Sequence, residues 1–128
     1  MSINVLQAVS DCMAAAGLSY EFGEWTSDPV YPYWTGEYQE SEPMTEDGMS
    51  DSTFILTGWT RGNYNELEQE KEEIKEQFHP LGGLMVAADD GSVVAIFYAS
   101  AIGGIPTGDA ELKKIQVNLS VKEWKVEK

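Results

Sequence analysis

Apolar residues first recur along this chain at helical steps. Val5, Leu6, Val9, Met13 and Ala16 fall three or four positions apart, with Ser2 placed to cap the helix and Gly17 to stop it. The period then changes to two. Leu18, Tyr20 and Phe22 alternate with Ser19, Glu21 and Gly23, which predicts a short strand broken at Asp28-Pro29. Residues 30–39 are aromatic and extended. Pro32 lacks a backbone donor and biases Tyr31 away from helical space, so an edge strand, or one entered at a bulge, is expected here. Residues 40–51 are acidic, contain a proline and a glycine, and show no period. They predict a long exposed loop, near the length at which function or disorder becomes the natural explanation. Phe54, Ile55, Leu56 and Trp59, set among threonines, mark the next strand.

Asn63 and Glu66 form an N-x-x-E capping signature that opens a helix running to about Phe78. Its apolar stripe is narrow: Tyr64, Leu67, Ile74 and Phe78, with the stem of Lys71 filling the missing place. The rest of the circumference is mostly glutamate, and Glu68 with Lys71 and Glu72 with Lys75 are spaced to pair. His79-Pro80 and Gly82-Gly83 end the helix. Two nearly continuous apolar runs then flank Asp89-Asp90-Gly91-Ser92, predicting a hairpin central to its sheet. In the last strand Ile115, Val117, Leu119 and Val121 alternate with polar residues. The apolar phase then moves to Trp124 and Val126, which predicts a bulge near residues 122–123. The order α-β-β-β-α-β-β-β, with hairpin-joined strands, excludes an all-parallel sheet. The expected fold is α+β, a single domain over residues 1–128. An antiparallel or mixed sheet of about six strands carries both helices on one face, and the acidic loop at 40–51 projects from it.

Charge narrows the partners. The first sixty residues hold ten carboxylates and no lysine or arginine; the remainder holds 12 acids against 8 bases, giving −14 in all. Such a surface cannot gain affinity for nucleic acid by neutralising phosphates, and it is repelled by anionic membranes. Hydrophobic content of 42% and 14 aromatic residues supply one core, unlike a disordered acidic chain. The single cysteine, Cys12, permits no internal disulfide. The longest apolar run, residues 93–99, is far too short for a membrane span, and no secretory signal is visible, so a soluble protein is expected.

Candidate chemistry is sparse. His79, the only histidine, stands at a helix end, where an imidazole commonly serves terminal carbonyls, and it has no nucleophile beside it. Cys12 falls beside a packed stripe and reads as an inert thiol. The two aspartates before Gly91 match turn chemistry and lack an EF-hand pattern. The loop at residues 103–108 is glycine-rich but lacks a Lys-Ser/Thr pair and leads into a strand, so it has no anion-binding helix dipole. No metal, cofactor or catalytic constellation is expected, and the chain reads as a non-enzyme. The aromatic cluster Trp25, Tyr31, Tyr33, Trp34, Tyr38 and Trp59 divides between core packing and exposed contact surface.

The segment Tyr31-Pro32-Tyr33, Gly36-Glu37-Tyr38, the acidic Glu46-Asp47-Gly48 and Phe54-Ile55-Leu56-Thr57, followed by the Glu/Lys helix, Ile105-Pro106-Thr107-Gly108 and the final strand, resembles small tail-assembly proteins of long-tailed bacteriophages and prophages. Among these it is most similar to tail terminator, or tail completion, proteins. The resemblance implies a ring, commonly a hexamer, seated on the end of the tail tube, stopping its growth and meeting the head connector. The partners implied are copies of the chain, tail-tube protein and connector, with no sequence-specific nucleic-acid binding and no membrane. The implied setting is the cytoplasm of a bacterial host during assembly and then the virion tail, with a monomer awaiting its template. Matching positions for subunit contacts are Tyr31, Tyr33, Trp34 and Tyr38 in the aromatic strand, and Glu40, Glu42, Glu46 and Asp47 in the loop. An acidic lumen would also keep a passing genome from sticking. Two other functions fit the residues: a small-ligand or regulatory module walled by the Trp/Tyr cluster, and an acidic DNA mimic that blocks a nucleic-acid enzyme.

Overall fold

A computed structural model describes residues 1–26, 28, 30–40, 49–87 and 91–124, with residues 49 and 50 as backbone only. Two helices and six strands follow in the predicted order: α1 (Ile3–Ala15), β1 (Tyr20–Phe22), β2 (Tyr33–Glu40), β3 (Met49–Thr60), α2 (Tyr64–Gln77), β4 (Leu84–Ala87), β5 (Val93–Ile102) and β6 (Lys113–Trp124). The strands make one mixed, curled sheet in the order β1-β2-β3-β6-β5-β4. Only β1 and β2 run parallel; every other neighbour is antiparallel. The fold is α+β. Among the described residues, no helix is long and apolar enough to cross a membrane.

The sheet is centred on β3 and β6, which pair residue for residue from Met49 opposite Trp124 to Thr60 opposite Lys113. Period-two alternation sends Phe54 and Leu56 of β3, and Ile115, Val117, Leu119 and Val121 of β6, to one face, where all are buried. Onto that face pack Val5, Ala8, Val9 and Met13 of α1 and Leu67 and Ile74 of α2, with Phe78 just beyond it. Both helices therefore cover the same side, as their apolar stripes require. Each fully buried side chain of this size contributes about 1.5–3 kcal/mol. Gly58 leaves room for the Trp34 indole, because a Cβ there would lie 2.7 Å from the ring.

Several local expectations are corrected. Ser2 occupies the N-cap position of α1, yet its hydroxyl makes no cap; the first turn is closed by its carbonyl, which accepts from Val5 and Leu6 amides. Asn63 does cap α2, its side chain accepting from the Glu66 amide at 3.3 Å. Glu66 turns instead to the Thr60 hydroxyl, at 2.8 Å. Glu68 pairs with Lys71, whereas the Lys75 ammonium sits 5.5 Å from the centre of the Tyr98 ring. The loop expected at 40–51 is shorter: β2 runs through Glu40 and β3 begins at Met49, so only residues 41–48 lie between them, outside the described residues.

The hairpin is not central, because β4 forms one edge of the sheet. Its apolar run misled because Met85 faces outward and is 59% exposed. No bulge interrupts β6 near residue 123. Glu123 takes the buried phase there and is 5% exposed, so the polar residue conceals an unbroken alternation. The irregularity lies in β5, between Tyr98 and Ser100. The Asp89-Asp90 part of the turn lies outside the described residues.

Candidate functional site

Strand alternation splits the aromatic cluster. Tyr33 and Trp34 are adjacent in β2 and must point to opposite faces. Trp34 goes inward and is 0% exposed, its indole N–H donating to Glu70 Oε1 of α2 at 2.8 Å. It is a core residue, not the surface contact expected of it, and it cannot wall an open pocket. Its hydrogen bond ties helix to sheet. Burial raises the pKa of Glu70 above the ordinary carboxyl value; the Trp34 bond opposes this, while Glu73 and Glu66 add to it.

Tyr33 goes outward to the face without helices, opposite Trp59 in register. The two rings stack with centres 6.3 Å apart, and Trp25 and Tyr31 lie 4.9 and 5.5 Å from Tyr33. Cations close both flanks. Lys114 places its ammonium 4.9 Å from the Trp59 ring centre, and the Arg61 guanidinium lies 5.9 Å from that of Tyr31 while bridging to Asp109 at 3.0 Å. Hydrogen bonding to Tyr31, then to Asp109, raises the Arg61 pKa further, and burial raises that of Tyr33. Gly23, Glu24 and Thr35 complete a groove of about 320 Å³ with Trp25, Tyr33 and Trp59.

Tyr38 lies well along β2 from this cluster. It is 43% exposed and stacks on Phe22 of β1 with ring centres 6.1 Å apart. Here the sheet is open. Strand β1 pairs only with Trp34, Thr35 and Gly36, so residues 37–40 of β2 have no strand on their outer side among those described. The edge strand expected from Pro32 is corrected: β1, not β2, ends the sheet and covers the half of β2 next to Pro32, while the open residues 37–40 lie at the strand's other end. Glu40 closes the strand, its carboxylate on the amino group of Met1. Glu42, Glu46 and Asp47 lie outside the described residues. The structure thus gathers Tyr31 with Tyr33, sets Tyr38 and Glu40 apart at the open edge, and buries Trp34. Phe22, Glu24, Arg61 and Lys114 are not among the site residues expected from the sequence; cross-strand pairing brings Lys114 to Trp59, and no local pattern signals that.

The remaining candidates have structural roles. His79 Nδ1 accepts from the amides of Leu81 and Gly82, at 3.2 and 3.3 Å, so it serves donors after the helix and not terminal carbonyls. Cys12 is half-buried, and burial, then Asp11, pushes its thiol pKa up and away from reactivity. In the loop before β6, the Thr107 hydroxyl bonds to the carbonyls of Asp109 and Leu112, which closes the turn on itself. Among the described residues, no group of three or more histidine, cysteine or acidic side chains could hold a metal ion.

No family model matches the chain. No curated protein matches it either. Fourteen solved chains match it in structure. One of them aligns over 100% of this chain and 99% of its own, with a TM-score of 0.67 and 14% sequence identity, under a name that carries no functional information. At that identity the likeness is one of fold alone.

Proposed function

We propose that this chain is a structural protein of a bacteriophage or prophage tail, a terminator-like subunit. Copies join into a ring at the end of the tail tube and offer a surface to the head connector. It works by contact between polypeptides and performs no reaction. It gathers in the host cytoplasm and finishes in the virion tail. The observation that carries this reading is the pair of unlike edges on one sheet, each without a further strand among the described residues. At one end stand residues 37–40 of β2, with Phe22 and Tyr38 exposed beside them; at the other stands β4, with Met85 exposed and Leu81 87% exposed just before it. An edge with free amides and carbonyls is a template for another strand. Two different edges favour head-to-tail contacts, which close into rings or run on as filaments. The element order shared with the tail-terminator resemblance supports the same reading, as does an acidic surface that repels a passing genome.

Negative-stain microscopy with tail-tube subunits tests it: ring density should cap the tube ends. Met85→Lys, which places a charge on the β4 edge without touching the core, should leave the monomer folded and abolish the caps. Bare tubes with the unaltered protein, or caps unchanged by the substitution, would overturn the reading or this choice of edge respectively.

A further inference from the structure

Strand β1 ends the sheet, and its outer edge stands beside a helix. On the inner side the Ser19 carbonyl accepts from the Trp34 amide and the Gly23 amide donates to the Gly36 carbonyl, both at 2.8 Å. Main-chain groups alternate in direction along a strand, so the amides and carbonyls of Tyr20 and Phe22 point away from β2. Among the described residues no strand lies there, and neither residue makes a main-chain hydrogen bond on that side. Between this edge and α1 runs a groove of about 370 Å³, with Leu6 and Ser10 on the helix and Tyr20 and Phe22 on the strand. Side-chain alternation gives it two unlike walls. Toward the helix layer, the partly buried Leu6 and the half-exposed Phe22 offer apolar surface. Toward the other face stand the carboxylates of Glu24 and Glu21, the latter held by the Thr26 amide at 2.8 Å. No lysine or arginine lines the groove.

We propose that this groove takes an extended segment of a basic partner polypeptide, which lies along β1 as a further strand with apolar and basic residues in alternation. Main-chain bonds to Tyr20 and Phe22 supply affinity, and the alternate side chains supply specificity. One set meets Leu6 and Phe22 beside the helix; the other reaches Glu21 and Glu24. The charge pattern selects the sign of the partner. Every residue lining the groove belongs to the first sixty, which hold ten carboxylates and no lysine or arginine, so an acidic segment is repelled there and a basic one is drawn in. The inference goes beyond the ring reading and does not depend on it, because the groove lies within a single copy.

The probe is a capped peptide, Gly-Lys-Val-Lys-Val-Lys-Gly, titrated into the full chain and followed by backbone amide resonances. The amides of Tyr20 and Phe22 should shift to saturation and exchange more slowly with solvent, because they gain acceptors. The amide of Met85, on the edge strand at the other end of the sheet, should not move. A version with glutamate for lysine should not bind, and one with glycine for valine should bind at least about five-fold more weakly. Ser10→Lys, at an exposed position of α1, puts a cation and a long stem into the groove and should weaken binding at least about five-fold, with the spectrum outside α1 and β1 intact. Glu24→Gln, also exposed, should weaken it about two- to five-fold. No saturable shift with the lysine peptide, equal binding of the glutamate version, a Met85 response matching that of Phe22, or binding unchanged by both substitutions would overturn the proposal. So would the same shifts at Tyr20 and Phe22 on concentrating the chain alone with no response to the peptide, which would give the groove to a second copy.

Discussion

The carboxylate of Glu70 meets two opposed demands. Burial disfavours its charge, while the Trp34 indole N–H favours it, and burial prevails, so its pKa stands above the ordinary value of 4.5. A carboxyl whose pKa is raised on folding holds its proton more tightly in the folded state. The stability it contributes is full below the unfolded value and is lost as pH rises through the folded one. Glu70→Gln keeps an oxygen to accept from Trp34 and has no charge to desolvate. Its stability relative to the parent should therefore grow from pH 4 to pH 8, read by urea unfolding at each pH; a constant difference would refute the assignment. Gly58→Ala belongs to the same scale. The new methyl would press on the Trp34 ring and cost about 1–3 kcal/mol, whereas Gly82→Ala, which meets nothing within 4 Å, should change stability little. Denaturant midpoints of the two variants check this pair. Residue roles were only partly legible. That Tyr33 and Trp34 must part company follows from strand alternation, but which of them turns inward depends on the position of α2 and its Glu70.

Elements were easier to read than their placement. Both helices and all six strands stand where periodicity or an apolar run put them, because each buries one face and its apolar residues record that face. The cap of α2 was legible because Asn63 satisfies an amide within its own first turn. Asn63→Ala should cost about 1 kcal/mol in thermal or denaturant unfolding, and Ser2→Ala much less, since the Ser2 hydroxyl caps nothing. Misreadings came where polarity and burial diverge. Glu123 is polar yet buried, and Met85 is apolar yet exposed, so a rule equating the two invented a bulge in β6 and centred a hairpin that lies at the edge.

At the scale of the whole molecule, charge and topology act together. Copies carrying −14 repel one another, and the screening length falls to about 8 Å at physiological salt. If assembly runs through hydrogen-bonded, apolar edges, raising salt from about 20 to 300 mM should strengthen self-association, with or without tube subunits, in sedimentation experiments. Association that weakens with salt would point to ionic contacts away from the edges. The same charge predicts no retention of duplex DNA by the chain at ordinary ionic strength, testable by gel shift.

Local spacing by itself determined the order of elements, the inward face of both helices, the α2 cap and the anionic character of the surface. These properties reside in neighbouring residues or in sums over the chain. Only the tertiary structure decided which strands became edges, that Trp34 belongs to the core, and that Trp25, Tyr33 and Trp59 meet across three segments with Lys114 above them. Such pairings join residues distant in sequence, and their register is set by how the whole sheet closes over its helices.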